Sequence, residues 1–93
     1  MQQTHFRVGD SKYHVRYINE DRGQTLGRVY YGVKTIEVFT KRRTAHSIKE
    51  TVLHELVHAI LHEMGHKLYN DEKFVTQFAK LLNNALNGEK EDD

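Results

Sequence analysis

Four histidines stand one helical turn apart in TVLHELVHAILHEMGH, at positions 54, 58, 62 and 66, with a glutamate directly after the first and third. Imidazoles at i and i+4 share a helix face and can aim nitrogens at one ion about 2.0–2.1 Å away. His54, Glu55 and His58 spell HExxH, the spacing that serves hydrolytic zinc. Glu55 falls on a neighbouring face, where it cannot easily join the same coordination sphere but can reach a water held at the ion and act as general base. No cysteine is present, so any metal must be held by histidine, carboxylate or water. The second copy of the pattern, His62-Glu63 followed by His66, overlaps Gly65, which suits a helix end and takes His66 out of register.

Hydrolytic zinc commonly takes three protein ligands and leaves a fourth position for water; one zinc per chain is the expectation. Glu72 can approach the histidine pair if the loop GHKLYND turns the chain back on itself. Acidic residues also favour the first turn of a helix with no metal at all, through the helix dipole. Asp71 competes for the role but is better placed to cap the helix. His62 and His66 also compete for it. His62 would make three consecutive ligands on one helix, each about 6 Å further along, a poor fit to a tetrahedron. His62, His66, Tyr69 and Tyr30 are candidates to stabilise an oxyanion, and none stands out.

These side chains need elements to hold them. The chain has 93 residues, no proline and a formal charge of +1, which supports one small domain with little stability to spare. Residues 1–87 form that domain, and NGEKEDD leaves 88–93 as a disordered acidic tail. Alternation of Tyr13, Val15 and Tyr17 with His14 and Arg16 predicts a strand over Lys12–Ile18. A short strand near His5–Val8 precedes it, with a turn at Gly9-Asp10. Thr25–Tyr31 and Thr35–Thr40 form a hairpin around Gly32-Val33-Lys34. A helix follows from Ser47 to Met64, with Ser47 as N-cap, Glu50 completing a capping box and Gly65 at the C-terminal cap. At about 100° per residue Leu53, Leu56, Val57, Ile60, Leu61 and Met64 form its core arc, while Ile48, Val52 and Ala59 lie opposite, across the histidine stripe. A second helix runs from Asp71 or Glu72 to about Asn87, apolar at Phe74, Val75, Phe78, Ala79, Leu81, Leu82, Ala85 and Leu86. Thr76, Lys80 and Asn83 face solvent. The fold class is α+β: a small, mostly antiparallel sheet packed on an HExxH helix and a second, glutamate-bearing helix.

The segment TVLHELVHAILHEMGHKLYNDEKFVTQFAKLL, with GRVYYGVKTIEVF upstream, resembles the ImmA/IrrE-type metallopeptidases, especially their small stand-alone versions of phages and mobile elements. The resemblance implies zinc on His54, His58 and Glu72, Glu55 as base, and a regulatory protein such as a repressor as substrate. HELVHA is also similar to the SprT-like metalloproteases, whose third ligand is a histidine in a longer downstream segment; no convincing equivalent stands here. The expected activity is zinc-dependent peptide hydrolysis, with substrate added as a strand along Thr25–Tyr31. Two other classes remain: a zinc-containing module that grips a partner protein without catalysis, and a nucleic-acid contact through the basic segment 41–49. No second basic element or aromatic platform accompanies that segment, which reads better as a solvated loop. With no long apolar run, the chain gives no sign of a membrane span, and the cytoplasm is the expected compartment.

Overall fold

The computed structural model describes residues 4–87; the expected acidic tail lies outside them. Four strands and two helices follow one another as β1 (His5–Val8), β2 (Ser11–Ile18), β3 (Gly27–Tyr30), β4 (Thr35–Phe39), α1 (Ala45–Glu63) and α2 (Glu72–Leu86). The sheet order is β1-β2-β4-β3. Gly9, at φ +62°, turns β1 back on β2, pairing His5 with His14 and Val8 with Ser11. β3 and β4 form the second hairpin, Gly27 opposite Val38 and Tyr30 opposite Thr35. In its turn Lys34, not Gly32, takes the left-handed backbone, at φ 52°. The hairpins join through a parallel pairing of β2 with β4, His14 opposite Thr35. Two of three pairings are therefore antiparallel, and β3 is an edge strand.

The helix α1 begins ahead of Ser47. Thr44 is its N-cap, accepting the Ser47 N–H at 3.0 Å. Ser47 is occupied otherwise: its hydroxyl accepts from the Arg43 guanidinium, so no capping box with Glu50 forms. At the other end Gly65, at φ +67°, allows two reverse bonds, Gly65 N–H to the His62 carbonyl and His66 N–H to that of Leu61, a Schellman closure. Asp71 caps α2 by accepting from the Phe74 N–H.

One face of the sheet, carrying Tyr13, Val15, Ile36 and Val38, packs on Val52, Leu53, Leu56 and Ala59 of α1. A second cluster joins Val57 and Leu61 to Val75 and Ala79 of α2. α1 is thus covered from two directions, and the expected core arc is corrected at its Ile60 and Met64 positions. Val52 and Ala59 are buried, whereas Ile60 and Met64 are exposed. α2 packs chiefly on α1, so just a narrow stripe of its broad apolar arc is covered. Phe78, Leu81 and Leu86 are exposed, and Asn83, expected at the surface, is only 4% exposed, accepting a hydrogen bond from the Asn87 side chain.

Candidate metal centre

The middle of α1 carries His54, Glu55 and His58, pressed between the sheet and α2. The turn between the helices returns the chain so that the first residue of α2, Glu72, reaches back over the histidines. His54 Nε2 and His58 Nε2 each lie 3.0 Å from a different oxygen of the Glu72 carboxylate. The donor atoms of the three residues all fall within 4.8 Å of one another. The imidazole planes are inclined at 67°, with centroids 5.0 Å apart. His58 and Glu72 occupy contrasting environments, 4% and 70% of their side chains exposed, so the cluster is anchored in the interior and opens outward on the α2 side.

The chemistry of His58 tests whether these donors fit a metal ion. Its Nδ1 lies 2.6 Å from the Tyr69 carbonyl, an acceptor only, so Nδ1 carries the proton and donates. In the neutral ring Nε2 is then a bare lone pair, facing a carboxylate oxygen. Two acceptors at 3.0 Å can stay there only with a cation between them, a proton or a metal ion. Two imidazoles and one carboxylate, with the second nitrogen of a ring fixed by a backbone carbonyl, is a donor set suited to zinc. The residues fit.

Glu55 does not join this cluster. It is 8% exposed, and its side chain lies against edge strand β3. A Cβ on Gly27 would come 2.8 Å from Thr51 Cγ2, 2.9 Å from the Glu37 carbonyl oxygen and 3.3 Å from Glu55 Cγ. Only glycine lets the strand lie this close. Burial pushes the Glu55 carboxyl up to about 7, with His58 opposing the rise and the Glu72 charge adding to it. A cleft of about 460 Å³ between Leu26 and Gly27 of the β3 side and Thr51 of α1 reaches His54, Glu55 and Glu72. Arg43 braces its rim, donating to the carbonyls of Leu26, Phe39 and Ser47 and so tying the start of β3, the end of β4 and the first turn of α1 together.

The other histidines and tyrosines named from sequence are spread differently. His66 accepts the Leu68 N–H through Nδ1 and stacks on Phe74, away from the cluster. His62 stacks on Tyr31, its Nδ1 buried without a partner among the described residues. Tyr30 stands on the outer face of the sheet beneath the Arg28 guanidinium, whereas its neighbour Tyr31 faces α1. Strand alternation carried this signal, because Gly27, Val29 and Tyr31 share one side. Tyr69 acts through its backbone, which no side-chain pattern announces. Within the basic segment 41–49, Arg43 is turned inward and the Lys49 ammonium donates to the Asn87 side chain.

A family model described as the SprT-like family matches residues 1–89. No curated protein and no solved structure matches the chain. Of the two resemblances drawn from the sequence, the one resting on HELVHA alone is therefore the one shown, and it extends over the strands as well as the helices. Among the described residues no helix is long and apolar enough to cross a membrane.

Proposed function

The chain belongs to the SprT-like family, and on that premise we propose that it is a zinc-dependent metallopeptidase acting on an extended segment of a protein. The observation that carries this reading is the meeting of three donors, His54, His58 and Glu72, beside the buried Glu55 in a cleft bordered by an edge strand. When bound, zinc supplies a Lewis acid that polarises the scissile carbonyl and acidifies the attacking water. His54, His58 and Glu72 hold it, and the Tyr69 carbonyl fixes the orientation of His58. Glu55 takes a proton from the water as its oxygen adds to the carbonyl carbon, then delivers that proton to the amide nitrogen as the C–N bond breaks. No covalent intermediate is needed. The free edge of β3 aligns the peptide by adding it as a further strand.

A carboxylate as third donor departs from the histidine of SprT-like proteases and agrees with the ImmA/IrrE likeness of the same helices. That likeness supports a regulatory protein, such as a phage or mobile-element repressor, as the substrate, met in the cytoplasm. Protein purified without added metal is expected to carry about one zinc per chain and to cleave an unfolded protein such as casein. Glu55→Gln should keep the zinc while turnover falls by about 10² to 10⁴. Absence of zinc, or a Glu55→Gln variant as fast as wild type, refutes the reading.

A further inference from the structure

Two contacts fix how the edge strand lies along the helix. At Gly27 the backbone is pressed against Thr51 and Glu55. Just past the end of β3, the Tyr31 ring is stacked on His62, centroids 4.0 Å apart and planes 10° from parallel. Strand and helix advance by about 13 Å and about 10 Å between these contacts. They therefore run side by side in one direction, and the turn carrying His58 lies between them. Tyr69 closes the corner, its ring edge-on to Tyr31 at 5.6 Å and to His62 at 5.0 Å, while its carbonyl accepts from His58 Nδ1. The ring of Tyr31 is thus clamped by the same residue that orients a donor of the metal centre.

We propose that the Tyr31 hydroxyl is a catalytic group of the hydrolysis, donating a hydrogen bond to the peptide carbonyl oxygen as that oxygen gains negative charge. This inference rests on the metallopeptidase reading. The ring lies against His62, one turn beyond His58 on α1, and against Tyr69, whose carbonyl holds His58, which puts the phenol beside the metal centre. Burial above all, with Tyr69 and the carboxylates of Glu55 and Glu72 adding to it, pushes the hydroxyl up to about 12, so it holds its proton at neutral pH. It donates a hydrogen bond and transfers nothing; the proton of the attacking water travels through Glu55 alone. No hydrogen bond from a described residue contributes to its environment, which leaves the donor free for substrate. A donor held rigidly where charge develops acts without reorganisation, and removing one such group typically lowers turnover by about 10² to 10³.

Tyr31→Phe isolates the hydroxyl, because phenylalanine keeps the stack on His62 and the edge contact with Tyr69. Zinc content, melting temperature, kcat and KM on casein, and the Kd of a phosphoramidate dipeptide with a tetrahedral phosphoryl group are to be measured for wild type, Tyr31→Phe and Glu55→Gln. The expected result is unchanged zinc and melting temperature, kcat lower by roughly 10²-fold with KM within about threefold, and a parallel loss of phosphoramidate affinity. A Tyr31→Phe kcat within about twofold of wild type, in a series where Glu55→Gln is inactive, overturns the role of Tyr31 and leaves the metallopeptidase reading standing. Wild type that cleaves no faster than Glu55→Gln overturns both.

Discussion

Glutamine at position 55 should remove a pH dependence from the stability of the metal-free protein. The Glu55 carboxyl is 8% exposed and raised from its ordinary 4.5 to about 7, chiefly by burial. The folded chain therefore binds this proton more tightly than the unfolded chain. The resulting stabilisation is fully present below pH 4.5 and lost as pH rises through 7. At about 1.4 kcal/mol per pH unit, the whole effect approaches about 3 kcal/mol, and roughly 2 kcal/mol of it falls between about pH 5 and pH 8 once the opening of the cleft to water is allowed for. The assay is urea unfolding of chelator-treated wild type and Glu55→Gln at both pH values. Groups remote from Glu55 are common to both proteins and cancel in the difference between the two pH dependences, which therefore reports Glu55 together with its interactions with His58 and Glu72. Wild type should lose roughly 2 kcal/mol more than the variant on going from about pH 5 to pH 8. Zinc should shrink that difference, since a cation beside Glu55 favours its charged form. Parallel behaviour of the two metal-free proteins would refute the claim that Glu55 is held in a poorly solvated site.

A chelator should lower the wild-type melting temperature, because an ion held by both helices binds only the folded chain. Glu72→Ala should abolish most of that response together with tight zinc binding, as seen by calorimetry; a variant as sensitive to chelator as wild type would remove Glu72 from the ligand set. Gly27→Ala should destabilise by about 1 to 3 kcal/mol, the usual cost of forced overpacking, since one neighbour of the added methyl is the Glu37 carbonyl at 2.9 Å, which cannot swing away. Equilibrium unfolding checks it, and a neutral substitution would mean that β3 does not lie so close on the helix.

Strand and helix positions are legible in the sequence because they depend on local periods. Alternation along Lys12–Ile18 marks β2, Gly65 marks the end of α1, and Asp71 marks the cap of α2. The spacing of His54 and His58 is likewise local, since one helix turn sets it. What periodicity does not contain is the number of neighbours that cover an element. α1 is apolar on several sides, and only the docking of both the sheet and α2 decides that Ala59 is buried and Met64 exposed. The start of α1 is hidden for a related reason: Ser47 looks like a cap in isolation, but Arg43 claims its hydroxyl and leaves Thr44 to cap the helix. Distance in sequence leaves Glu72 one candidate among several and hides the role of Tyr69 altogether. Glu72 reaches both histidines only through the path of the interhelical turn. The fixing of His58 comes from a backbone carbonyl at Tyr69 that any residue type could supply. Sequence determined which residues have the chemistry to bind a metal and move a proton. The tertiary structure decided which of them meet, because convergence of three donors within 4.8 Å is a property of how helices and an edge strand pack, not of any one segment.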